Sequence, residues 1–145
     1  MLTGSASESA RAARLRLAIT RTARRLRQEA NADLSPSLTS ALASIEAHGP
    51  VTPSELASCE RVQRPTITRV LTRLAELELI ERAADPADGR STLISITPAG
   101  RSLLEDLRGR RDAFLADRLS KLSTEDRAVL DRASEVLESL LEDEP

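Results

Sequence analysis

The sequence predicts a mainly α-helical fold with one two-stranded β-hairpin. Three observations point there. Apolar residues recur at three- and four-residue steps along most of the 145 positions, as in helices with one buried face. A Ser or Thr precedes proline at Ser35-Pro36, Thr52-Pro53 and Thr97-Pro98; this pairs an N-cap hydroxyl with a residue whose missing N–H costs nothing in the first turn. Between Leu79 and Thr97 the apolar period shortens to two around a Pro/Asp-Gly turn, which reads as a hairpin.

Composition narrows the classes. The hydrophobic fraction is 40% and the aromatic fraction 1%, with Phe114 as the one aromatic. A core of Leu, Ile, Val and Ala suits packed helices better than a sandwich. No apolar run approaches the roughly 18 residues needed to span a membrane, and the N-terminus lacks a signal-peptide core. A cytoplasmic location and no membrane partner are expected. The single cysteine, Cys59, excludes an intrachain disulfide framework. Of the 21 basic residues 20 are arginine, a bias expected of a GC-rich genome. The net charge of -2 is unevenly spread. Arg11 to Arg27 holds seven arginines and no acid, whereas Ser123 to Pro145 holds eight acids against two arginines. A local positive patch can bind phosphate on a chain of negative total charge.

The elements follow in order. Met1 to Ser7 is small and polar, and a frayed end is expected there. A helix is predicted from about Ser9 to Ala32 on the stripe Leu15, Ala18, Ile19, Thr22, Leu26 and Ala30. A second opens at Ser35-Pro36 and stops at His48-Gly49-Pro50, with Gly49 expected as a left-handed cap. A short third helix starts at Thr52, with Glu55 completing a capping box. A fourth runs from Arg64 to Leu79 on the stripe Ile67, Val70, Leu71, Leu74 and Leu77. A short helix, a tight turn and a longer helix make a helix-turn-helix, whose second helix reads a major groove. "LIERAAD" and "STLISIT" are the hairpin strands, and Asp85 to Arg90 its tip; with them the unit becomes a winged helix-turn-helix. Thr97 caps a fifth helix, in which Gly100 and Gly109 are weak points, and Ser123 caps a sixth. The predicted organisation is an N-terminal dimerisation helix (1–34), a DNA-binding region (35–98) and C-terminal dimerisation helices (99–145). The flanking stripes exceed what so small a unit needs, so a homodimer is expected.

The stretch "TPSELASCERVQRPTITRVLTRLAELELIERAADPADGRSTLISITPAG", Thr52 to Gly100, resembles the MarR family of bacterial transcriptional regulators. The resemblance rests on "ELA", "PTITRVLTRL", "ELIER", "DPADGRS" and "ITPAG" in order, and the flanking helices agree in length. The chain departs at Glu60 and Glu78, where members often carry glycine. The resemblance implies a homodimer with helices of both termini interleaved on a pseudo-palindromic site in double-stranded DNA. It also implies that a small effector, often an aromatic or phenolic anion, can release the DNA.

The candidate DNA-reading residues on the fourth helix are Gln63, Arg64, Pro65, Thr66, Thr68, Arg69 and Arg73. Arginine can grip guanine O6 and N7 with two hydrogen bonds, and threonine can touch a thymine methyl or a phosphate. Taken alone such a helix face is more often merely solvated; the hairpin beside it shifts the balance. In the wing the candidates are Asp88, Arg90 and Ser91. A narrow minor groove attracts an inserted arginine, and Asp88 could brace the Arg90 guanidinium or merely neutralise it. Cys59 reads as a small buried hydrophobe and His48 as a helix cap. No metal site, catalytic constellation or cofactor loop is present in the pattern, so neither an enzyme nor a cofactor is expected. An effector pocket would be walled by the first, second and fifth helices. With one aromatic in the chain, the pocket is either aliphatic or unused, and the candidate ligand is a small aromatic or lipophilic molecule. The functional expectation is a dimeric DNA-binding regulator, a repressor of its own or neighbouring promoters. The competing class is a winged-helix protein–protein module without DNA binding.

Overall fold

The computed structural model describes residues 3–30 and 34–142. Its elements are α1 (Thr3–Glu29), α2 (Pro36–His48), α3 (Pro53–Glu60), α4 (Arg64–Glu76), β1 (Ile80–Ala84), β2 (Thr92–Ile96), α5 (Pro98–Ser120) and α6 (Thr124–Ser139). The chain divides into two compact units, Met1–Arg111 and Asp112–Pro145. Helix α1 begins at Thr3 rather than near Ser9; the Ser/Ala/Glu run before Ser9 has no helix breaker beyond Gly4. The expected helix end at Ala32 and the acids Asp143 and Glu144 lie outside the described residues.

In the first unit the core gathers around Leu42, Ile45, Leu56, Ile67, Leu74 and Ile94, each at most 1% exposed. These come from α2, α3, α4 and β2, so the helix-turn-helix and the hairpin share one core. Burying a side chain of this size is worth about 1.5–3 kcal/mol against leaving it in water. The hairpin is antiparallel and in register from Ile80↔Ile96 to Ala84↔Thr92. Ile94 and Ile96 face the core, as their alternation predicts. A further β-bridge joins Val51 to Ile94 through two backbone hydrogen bonds of 3.0 and 2.7 Å. It anchors the base of the hairpin to the segment between α2 and α3.

The helix starts follow the expected grammar. Ser35 Oγ accepts from the Leu38 N–H, Thr52 and Glu55 form the reciprocal capping box, and Ser123 Oγ accepts from the Asp126 N–H at 3.1 Å. Thr97 Oγ1 accepts from the Gly100 N–H at 3.1 Å and donates to the Glu78 carbonyl at 2.8 Å. That residue caps α5 and closes the end of α4 at once.

Two glycines play other parts than expected. Gly49 is extended, at φ -67° and ψ 155°, not left-handed. The residue before a proline is pushed out of the α region. Its lack of a side chain serves packing: a Cβ would stand 2.5 Å from the Ile45 carbonyl oxygen. Gly100 is no weak point either, since it is buried and a Cβ there would meet the Leu79 carbonyl at 2.4 Å. The left-handed positions are Arg61 (φ 54°) and Glu78 (φ 60°). Each ends its helix by letting the following N–H reach back five residues, Val62 to Ala57 and Leu79 to Leu74, both at 3.0 Å. Helix α4 therefore stops at Glu76 rather than Leu79.

In the second unit α6 carries an acidic first turn, Glu125 and Asp126, which suits the positive end of the helix dipole. Its apolar stripe is uncovered: Val129, Leu130, Val136 and Leu140 are exposed, and Leu141 beyond the helix is 82% exposed. Lys121, hydrogen-bonded to Asp117 at 2.9 Å, holds that carboxyl below its usual value.

Candidate nucleic-acid interface

Helix α3 is short and presents one face to α2. At about 100° per residue Leu56, Ala57 and Glu60 share that face. Leu56 and Ala57 are buried, and Glu60 accepts from Ser40 Oγ at 2.7 Å and Ser44 Oγ at 2.5 Å. A carboxylate at this half-buried place is stable because both oxygens find hydroxyl donors. Cys59 falls off the face and is exposed, contrary to the buried reading.

The turn after α3 aims α4 outward. Ile67, Leu71 and Leu74 are buried beneath it, and Gln63, Arg64, Pro65, Thr68, Arg69 and Arg73 are exposed. Thr66 is half-buried on the shoulder. The first turn of α4 has no acid, and the Gln63 side chain makes no cap. The helix N-terminus therefore keeps its partial positive charge unneutralised by its own side chains. The Thr68 hydroxyl donates to the Arg64 carbonyl at 2.9 Å. With that hydrogen committed to the helix, Thr68 offers its methyl and its lone pairs to a partner.

The hairpin brings the wing to the same side. Asp85 and Asp88 both fold back on the backbone: Asp85 Oδ1 accepts from the Ala87 N–H at 2.9 Å, and Asp88 Oδ1 from the Arg90 N–H at 3.1 Å. Asp88 thus fixes the backbone at the tip rather than the Arg90 guanidinium. Such turns are the ordinary use of Asp in loops.

Arg64, Asp88, Arg90 and Ser91 come together with Thr52 and Ser54 around a cleft of about 310 Å³. Arg64 also donates a hydrogen bond to Ser54 Oγ at the start of α3. A smaller adjoining hollow of about 190 Å³ is lined by Arg64, Thr68 and Arg82. Ser54 and Arg82 were not singled out from the sequence; Ser54's place in the first turn of a capped helix was the available signal. Arg73 lies apart, paired with Glu76 at 3.3 Å. Among the described residues no ion pair engages Arg64, Arg69, Arg82 or Arg90. Nearby acids are occupied, Glu55 in its capping box, Glu60 by serines, and Asp85 and Asp88 in the turn. The face consequently offers guanidiniums and hydroxyls on a chain of net charge -2. Among the described residues no group of His, Cys, Asp and Glu could hold a metal ion, and no helix is long and apolar enough to cross a membrane.

Known proteins share this fold. The MarR family model matches residues 34–92. An uncharacterized HTH-type transcriptional regulator of Mycobacterium bovis is 36% identical over 140 residues, covering 96% of this chain and 98% of that protein. A crystal structure of a Pseudomonas aeruginosa PA01 regulator protein superposes with a TM-score of 0.86 at 36% identity, over 95% of this chain and 98% of the other. A Staphylococcus aureus MepR variant bound to an oligodeoxyribonucleotide has the same fold, with a TM-score of 0.70 at 23% identity, over 89% and 96% of the two chains. With its fold, its exposed fourth helix and its wing, the chain belongs to the MarR family of DNA-binding, winged helix-turn-helix transcriptional regulators.

Proposed function

We propose that the protein acts as a cytoplasmic homodimeric repressor of its own or neighbouring promoters. One α4 enters a major groove in each half-site, and each wing reaches the flanking minor groove. Half-sites then lie about one helical turn apart. The observation that carries this reading is the convergence of Arg64, Arg90 and Ser54 on one cleft between α3, α4 and the wing tip. Arg69 and Thr68 extend that surface along α4 for base contacts; Ser91 lies in the cleft itself, Gln63, Pro65 and Thr66 belong to the start of α4, and Arg73, paired with Glu76, stands farther along the helix. The MepR variant, which shares the fold, was captured on an oligodeoxyribonucleotide, which supports the same use of this face.

Two apolar surfaces support the dimer. Leu15, Leu17 and Ile19 on α1 are exposed, as are Val129, Leu130, Val136 and Leu140 on and after α6. Leu15 and Ile19 share one face of α1, with Leu17 on the other, and large apolar patches are rarely left exposed on monomers. A second copy of the chain is the natural cover, because closed two-fold dimers are the commonest assembly.

The effector belongs to the same reading. A cavity of about 520 Å³ in the first unit is lined by residues of α1, α2 and α5, which supports an effector site there. An occupant favouring a dimer with badly spaced reading heads would release DNA, provided it binds that state more tightly. A shift assay on the protein's own upstream region tests the function. A specific complex with a stoichiometry of two chains per duplex is expected; no complex there or at neighbouring promoters would overturn the repressor reading.

A further inference from the structure

The cavity between α1, α2 and α5 has walls that specify its ligand. Arg24, Arg27 and Gln28 stand on one face of α1, three and four residues apart, where neighbouring side chains meet. Arg111 on α5 also lines the space, and Leu34, Pro36 and Thr39 complete the lining. Arg111 Nε is buried and has no hydrogen-bond partner. Buried polar atoms are normally satisfied, so this N–H is a donor awaiting an acceptor. The neighbouring arginines are treated differently. Arg25 is paired with Glu29 at 2.6 Å, and Arg110 with Asp106 at 2.9 Å. Among the described residues no ion pair engages Arg24, Arg27 or Arg111, and the cavity lining contains neither an acid nor an aromatic ring.

We propose that this cavity binds a small, multiply charged, non-aromatic oxyanion, a polycarboxylate or a phosphate. The inference rests on the reading of the cavity as the effector site and replaces the aromatic or lipophilic ligand expected from sequence. Several unpaired guanidiniums around one space repel each other, and an oxyanion relieves that repulsion while accepting their planar, forked donors. A monoanion leaves positive charge uncompensated, and an aromatic ring finds no face to stack on. The ligand would clamp α1 and α5 to α2, and α2 holds α3 through the Glu60 bonds to Ser40 and Ser44. Occupancy is thereby linked to the placement of the DNA-reading helices.

Calorimetric titration of the full chain with citrate, inorganic phosphate and salicylate, at constant ionic strength, tests the site. Saturable binding of citrate or phosphate is expected, with salicylate at least tenfold weaker; which of the two binds tells a carboxylate from a phosphate ligand. R111Q and the double variant R24Q/R27Q should each weaken binding at least tenfold. The double variant changes an exposed helix face, so it decides the matter even if R111Q fails to fold. No saturable binding of either anion, undiminished binding in the double variant, or tighter binding of salicylate would overturn the proposal. The same anion is then added to a DNA titration. Binding in the cavity with unchanged DNA affinity would remove the effector reading and leave the anion site standing. DNA release by salicylate with no binding of citrate or phosphate would do the reverse.

Discussion

The Arg64 guanidinium donates to the Ser54 hydroxyl, tying the first residue of α4 to the first turn of α3. The bond holds a long, flexible side chain at the mouth of the cleft shared with Arg90. Arg64→Ala should weaken specific DNA binding by about 1–3 kcal/mol. Ser54→Ala should cost less, and the double variant should bind no worse than Arg64→Ala alone. Fluorescence anisotropy on one operator duplex measures the cycle; fully additive losses would mean that Ser54 acts independently of Arg64.

The wing makes a prediction with a sign. Asp88 accepts from the Arg90 backbone N–H and so shapes the tip. Asp88→Ala removes that brace and also a negative charge. If the brace dominates, DNA affinity falls; if Asp88 merely neutralised Arg90, affinity would rise. We expect a fall, smaller than the roughly 1–3 kcal/mol expected for Arg90→Ala.

Most of the fold was legible because it is written in short-range grammar. Ser35, Thr52, Thr97 and Ser123 each accept the cap hydrogen bond their position announces. The hairpin was legible from its period and its turn residues. What escaped depends on residues distant in sequence. The Val51–Ile94 bridge joins single residues with no periodic signal. Gly49 was misread because the following proline outweighs its freedom to turn left-handed. The left-handed turn after α3 falls on Arg61, a residue type that carries no signal for that conformation. Cys59 was misplaced because α3 buries the face of Leu56, Ala57 and Glu60, and Glu60 takes the place a small apolar residue was expected to fill. Of the candidate site, Arg64 and Arg90 were legible, whereas the junction with Ser54 and Arg82 required the tertiary packing of α3 and β1 against α4.

Gly100 and Gly109 lie in one helix and should respond oppositely to alanine. At Gly100 a Cβ would stand 2.4 Å from the Leu79 carbonyl and 2.7 Å from Ile96 Cγ1. Gly100→Ala must shift backbone and should cost about 1–3 kcal/mol or more. At Gly109 nothing lies within 4 Å of the new atom, and Gly109→Ala should add about 0.5–1 kcal/mol through helix propensity. Urea unfolding of the two variants checks both; equal effects would contradict the packing described for the α5 start.

Glu60 places a carboxylate between two serines, Ser40 and Ser44, that both donate to it. Glu60→Ala should destabilise the protein by about 1–2 kcal/mol, because Ser44 loses its acceptor in a half-buried place. Glu60→Gln should recover part of the loss, since one amide oxygen still accepts. Thermal unfolding gives the order; an unchanged midpoint for Glu60→Ala would show that the network adds nothing.

In the proposed mode of binding, α4 and the wing grip DNA through Arg64 and Arg90. The most direct measurement is the salt dependence of binding to the upstream duplex, for the wild-type chain and the Arg64→Ala/Arg90→Ala variant, with a scrambled duplex beside it. Preference for the upstream duplex is expected, with a linear fall of log K with log salt, of slope about -0.9 per phosphate neutralised. The double variant should lose most of that preference and show a shallower slope. Equal affinity for both duplexes, or a double variant that binds like the wild type, would contradict it.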